Sequence, residues 1–98
     1  MTEALKQRTI ETTVGYLPAA KPFHERYPPD TEMEVIRVDA MAFFQVKNYE
    51  DRDKHEFFLE FEGVRITDYT QTLAALLRGE HHEKAHFELV EQVTAGGR

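Results

Sequence analysis

The sequence predicts an α+β roll, a mixed sheet packed on one helix. Three observations lead there. Extended runs at Thr9–Leu17 and Phe23–Tyr27 are separated by a proline-rich turn and read as a hairpin. An apolar stretch with 3/4 spacing follows Pro28-Pro29 and reads as the helix. Further extended runs come after it, the last leading straight toward the C-terminus.

Residues 1–8 are polar and are expected to form a flexible leader ahead of a domain spanning 9–93. In the first strand Ile10, Thr12, Val14 and Tyr16 fall on one face, with Glu11 and Thr13 opposite. That period of two, rich in β-branched residues, marks a strand. Pro18-Ala19-Ala20-Lys21-Pro22 is a turn, and Pro28-Pro29 ends the second strand.

Asp30 or Thr31 is the expected helix N-cap, with Glu32 and Glu34 in the first turn, where the helix dipole favours carboxylates. Met33, Ile36, Ala40, Phe43 and Lys47 keep helical spacing, and Val35, Val38, Ala42 and Val46 widen the apolar stripe. Val35, Ile36 and Val38 also suit a strand, but length and the cap favour the helix.

Lys47–Glu56 is charged and reads as a loop, with Tyr49 as its core candidate. Phe57, Leu59 and Phe61 alternate with Phe58, Glu60 and Glu62, giving a third strand. Gly63 turns the chain into a short return, Val64-Arg65-Ile66. Thr72–Leu77 is a brief helical turn closed by Gly79, Glu80–Lys84 is a polar loop, and Phe87–Val90 is the last strand. That strand is expected beside the first, parallel to it, in the middle of the sheet. Residues 94–98 then project from the sheet's edge as a flexible tail, away from the helix.

A chain of 98 residues makes one domain, and 41% hydrophobic residues with 11% aromatics suffice for a packed core. Cysteine is absent, which excludes disulfides, a Cys-ligated zinc and a thiol nucleophile in cis. It also fits a reducing compartment. No apolar run approaches the roughly 18 residues of a membrane span, and no signal-peptide stretch opens the chain. The expected location is cytoplasmic. A net charge of −6, spread along the chain, argues against nucleic acid and for protein partners.

The tail reads Thr94-Ala95-Gly96-Gly97-Arg98. A glycine pair gives an extended backbone able to thread a channel closed to bulkier residues. An enzyme that carries a C-terminal carboxylate to ATP, or to a cysteine thiolate, needs such a tail. Chain ends commonly fray, and a glycine pair at one stated place arises by chance roughly once in 200 chains. The pair gains weight from the architecture in front of it.

From Thr9 to Gly97 the chain resembles ubiquitin and its β-grasp relatives. Tyr27-Pro28-Pro29-Asp30-Thr31 is similar to ubiquitin's turn into its helix. Phe57 to Asp68 is similar to its apolar third strand, glycine turn and following segment; Thr72-Leu73, the closing strand and Gly96-Gly97 follow at similar spacing. Two departures stand out. The segment Asn48–Glu56 is longer and more charged, and ubiquitin's basic tail is replaced by Glu91, Gln92, Val93, Thr94 and Ala95.

The resemblance implies a ubiquitin-like β-grasp fold and a protein modifier without a cofactor of its own. A processing peptidase would remove Arg98 and expose the Gly97 carboxylate. An activating enzyme would adenylate it, and a conjugating enzyme would join it to amines on target proteins. The altered tail implies a dedicated activating enzyme that reads residues 91–95, in a bacterial conjugation operon. A Cβ at Gly96 is expected to clash in that enzyme's channel. Lys6, Lys21, Lys47, Lys54 and Lys84 are candidate acceptors of further copies, and Phe58, Val64 and Val90 are candidates for an apolar docking patch.

A competing signal is His82-Glu83-Lys84-Ala85-His86, the HExxH pattern of zinc proteases. The pattern needs a helix, whereas here it runs from a glycine into an expected strand with no room for a third ligand. A polar loop is the expected outcome, with no metal site, although His81, His82 and His86 are close in sequence. His24 and His55 have no evident partner. Two alternatives remain: a sulfur carrier that forms a Gly97 thiocarboxylate, which Arg98 disfavours, and a binding module in which the glycines are incidental.

Overall fold

The computed structural model describes residues 9–78 and 83–96. The elements run β1 (Ile10–Tyr16), β2 (Phe23–Tyr27), α1 (Met33–Phe44), β3 (Tyr49–Glu50), β4 (Lys54–Phe61), β5 (Val64–Arg65), α2 (Leu73–Leu76) and β6 (Lys84–Thr94). The sheet order is β2-β1-β6-β4-β3, with β5 paired to β4 beyond that path. The last strand therefore lies at the centre, parallel to β1 from Glu11↔Lys84 to Tyr16↔Leu89 and antiparallel to β4 from Lys54↔Thr94 to Glu60↔Glu88. This is the predicted α+β roll.

The core forms where the sheet's inward face meets α1. Ile10 and Val14 of β1, Phe57 and Leu59 of β4 and Phe87 and Leu89 of β6 are buried against Met33, Ile36, Ala40 and Met41. Thr12 shares that buried face; its hydroxyl donates to the Ile10 carbonyl at 3.1 Å and so is not left unpaired. A partly buried cation ties helix to sheet. Arg37 donates from Nη1 to the Phe57 carbonyl at 2.8 Å and from Nε to Glu34 at 3.2 Å, with its guanidinium over the Tyr69 ring.

The helix start differs from expectation. Its N-cap is Glu32, with no side-chain cap bond, rather than Asp30 or Thr31. The free N–H groups are met by another segment instead: Met33 donates to the Gln71 carbonyl at 2.9 Å and Glu34 to the Tyr69 carbonyl at 3.0 Å. Backbone from across the fold replaces the local side-chain cap.

The buried stripe is narrower than predicted. Val35, Val38, Ala42 and Phe43 are exposed, whereas Met41 is buried. One sheet face covers one side of a helix, and residues 35, 38 and 42 point the opposite way. Phe43 keeps partial cover by packing its ring 5.4 Å from that of Phe23. The helix closes at Gln45 in the left-handed region (φ 60°), leaving Lys47 outside it.

The segment expected to be a loop over Lys47–Glu56 instead contributes β3 and the start of β4, whose register is Tyr49↔His55 and Glu50↔Lys54. Tyr49 is not a core residue but stacks on the His55 ring, centroids 4.0 Å apart. Beyond β4, Glu62 and Gly63 both take positive φ (53° and 81°), the tight turn into β5 that Gly63 announces. Thr72 caps α2 by accepting from the Ala75 N–H at 3.1 Å. Gly79, the expected closing residue, lies outside the described residues, as do Glu80–His82.

Candidate functional site: the C-terminal strand and its end

The final strand is much longer than the predicted Phe87–Val90. It begins at Lys84, where Lys84, His86 and Glu88 alternate outward with buried Ala85, Phe87 and Leu89. It then continues through Glu91, Gln92, Val93 and Thr94. These last residues carry little apolar period, because backbone pairing with β4 holds them, not side-chain burial. Their partners are Phe57, Glu56, His55 and Lys54. Pairing with β1 stops at Tyr16↔Leu89, so among the described residues this stretch is paired on the β4 side alone.

Of the residues expected to be read in the tail, Glu91–Thr94 are therefore held in the sheet, and Ala95 lies just beyond it. Thr94, placed in the tail from sequence, is the last residue of the strand. Glu91 Oε2 lies 2.7 Å from His55 Nδ1, whose ring is sandwiched against Tyr49. Tyr16 is close by: burial, then the Glu91 carboxylate, then Tyr49 raise its phenol pKa above the ordinary value. Val93 is half exposed, and Gln92 Oε1 is buried without a hydrogen-bond partner among the described residues.

Ala95 and Gly96 run past the start of β4 to the turn of the β3–β4 hairpin. The Gly96 N–H donates to Asp53 Oδ1 at 3.0 Å. A Cβ built on Gly96 would run into the carbonyl oxygen of Arg52. Beside the expected fit to a partner's channel, the slim backbone here has a reason inside the molecule. Gly97 and Arg98, which carry the predicted processing point, lie outside the described residues.

The remaining candidates separate. Phe58 and Val90 are cross-strand neighbours on the sheet face away from the helix, with the Arg65 guanidinium 4.4 Å above the Phe58 ring. Val64 pairs with Phe61 on the other side and lines a groove of about 570 Å³ with Ile66, Leu76 and Leu77. Of the three candidates for an apolar patch, Phe58 and Val90 share one sheet face, both partly exposed, and Val64 does not join them.

The described part of the HExxH pattern, Glu83–His86, is not helical. His82 lies outside the described residues, and Lys84–His86 are strand. No cluster of three or more metal-ligating side chains occurs among the described residues. His24 and His55, without an evident partner in the sequence, both have one: His24 Nδ1 is 3.0 Å from the Thr13 hydroxyl, and His55 pairs with Glu91. Register across strands reveals both pairs, and sequence spacing hides them. No helix among the described residues is long and apolar enough to cross a membrane.

A small roll with a central last strand and one crossing helix defines the ubiquitin-like β-grasp fold, and solved structures agree. The chain is similar to Caldiarchaeum subterraneum ubiquitin, with a TM-score of 0.65 and 19% identity over 91% of this chain and 99% of that one. It is similar to a chain solved in work on molecular mimicry of SUMO promoting DNA repair (TM-score 0.59, 14% identity, 86% of this chain and 92% of that one). It is also similar to the ubiquitin-like domain of the Arabidopsis thaliana protein At2g32350 (TM-score 0.57, 13% identity, 85% and 77%). No family model matches the chain, and no curated protein matches it in sequence.

Proposed function

We propose that this chain is a ubiquitin-like protein modifier, matured at Gly97 and joined through it to amines on target proteins. The observation that carries the reading is a β-grasp body whose central strand leads directly into Gly96-Gly97. The chain is then a substrate and not an enzyme. Hydrolysis of the Gly97–Arg98 bond by a peptidase frees the Gly97 carboxylate. The carboxylate attacks the α-phosphorus of ATP and expels pyrophosphate. A partner's thiolate displaces AMP to give a thioester, and a target amine displaces the thiolate to give an amide. The nucleophiles and the ATP site belong to the activating and conjugating enzymes, and the setting is cytoplasmic. Glu91, Gln92, Val93, Thr94 and Ala95 supply the recognition surface in place of a basic tail.

Mass spectrometry of the chain recovered from its native cells tests this reading. The expected products are species ending at Gly97 and species joined through Gly97 to other proteins. A Gly97 thiocarboxylate would instead make the chain a sulfur carrier. Intact chain ending in Arg98 as the sole product, with the partner enzymes expressed, would overturn the proposal in favour of a binding module.

A further inference from the structure

We infer that the β3–β4 hairpin is a docking cradle for the tail, and that it controls when Gly96-Gly97 can enter a partner enzyme. The inference deepens the modifier reading and rests on it for its functional consequence. Three contacts carry it. The strand pairing between β6 and β4 continues to Thr94↔Lys54, at the very start of β4. Beyond it, Asp53 accepts the Gly96 N–H at 3.0 Å, and the Arg52 carbonyl occupies the space that a side chain on residue 96 would need. Behind both, the His55–Glu91 pair under the Tyr49 ring pins the strand to the hairpin from the helix side.

All of these groups on the hairpin side come from Tyr49–His55, within the segment that departs from the ubiquitin pattern in length and charge. The departure therefore has a structural role: it builds the platform on which the altered tail lies. A partner that threads the tail into a narrow channel must strip it from the cradle first. That step breaks the Gly96–Asp53 bond and the last rungs of the β4 ladder. Asp53 and the Arg52 carbonyl are positioning groups, and Gly96 is a glycine because the cradle admits nothing larger.

Amide hydrogen exchange on the full 98-residue chain, without any partner enzyme, tests the cradle. The Gly96 amide should exchange about tenfold more slowly than an unstructured glycine. Asp53→Ala should abolish that protection while the Phe87 and Leu89 amides keep theirs, and Asp53→Asn, which retains an acceptor oxygen, should restore most of it. Gly96→Ala should release residues 94–96 in the same way. In a parallel assay, a carboxypeptidase specific for basic C-terminal residues should remove Arg98 several-fold faster from Asp53→Ala than from the parent chain. A Gly96 amide that exchanges at the unstructured rate in the parent, or that ignores Asp53→Ala, overturns the inference. Failure here and failure of the modifier reading remain distinct. A protected tail that is never conjugated retains the cradle and removes the modifier; a free tail that is conjugated does the reverse.

Discussion

The two halves of β6 are one continuous strand under opposite rules. From Lys84 to Leu89 it is paired with β1, and at Glu88 and Leu89 with β4 as well, and its inward residues Ala85, Phe87 and Leu89 are buried. From Glu91 to Thr94 it is flanked by β4 alone, and its inward residues are Glu91, bonded to His55, and half-exposed Val93. The first half is held by side-chain burial and determines whether the fold exists. The second is held by backbone pairing and a few polar contacts, and determines where the tail lies. Burial resists change, whereas an edge ladder opens at low cost. One strand can thus join a rigid body to an end held far more lightly.

The comparison breaks or sharpens under substitution. Phe87→Ala should be the most damaging change, destabilising the chain by about 3–5 kcal/mol in urea unfolding, because it empties a fully buried site. Arg37→Met should cost about 2 kcal/mol in the same measurement, since it strands the Phe57 carbonyl beneath the helix. The tail's exchange should be unaltered, which separates body from cradle. Tyr27→Phe should cost about 1 kcal/mol through the lost hydrogen bond to Asp39, at 2.7 Å in the parent.

Tyr27 also sets a pH dependence. Burial first, and the Asp39 bond second, hold its phenol above the ordinary value of 10.0. A raised phenol pKa stabilises the fold below that value, and the contribution is lost as the pH rises past it. Tyr27→Phe should therefore flatten the alkaline limb of a stability–pH curve; an unchanged limb would assign it to other groups. The smallest effect belongs to the second half of β6, where Val93→Ala should stay within about 0.5 kcal/mol of the parent. A loss at Val93 equal to that at Phe87 would end the distinction between the two halves.

What the sequence disclosed follows the same division. The alternation through Ile10–Tyr16 and Phe57–Phe61 was readable because each alternate residue is buried or, at Tyr16 and Phe61, partly buried against the core, and burial imposes a period. The central, parallel place of the last strand followed from the order of elements, a hairpin, then a helix across one sheet face, then further strands. The outer extent of β6 was not readable, because Glu91–Thr94 pair through backbone atoms, to which a hydrophobic pattern is blind. The helix cap was misplaced for a related reason: the acceptors are the carbonyls of Tyr69 and Gln71, and no local motif announces them. The glycine pair was visible as a candidate site, but the contact of Gly96 with Arg52 and Asp53 depends on a hairpin read from its charges as a loop.

The parallel pairing of β1 with β6 has a mechanical consequence. If the chain is anchored by its C-terminal end and pulled from its N-terminal side, the two strands are drawn past each other along their length. The hydrogen bonds between Glu11↔Lys84 and Tyr16↔Leu89 then lie across the line of force and share the load. They must yield together, as a clamp does, whereas an antiparallel pair drawn apart from one end opens rung by rung like a zip. A body tethered through its tail would resist extraction by a pulling machine far better than its modest size suggests.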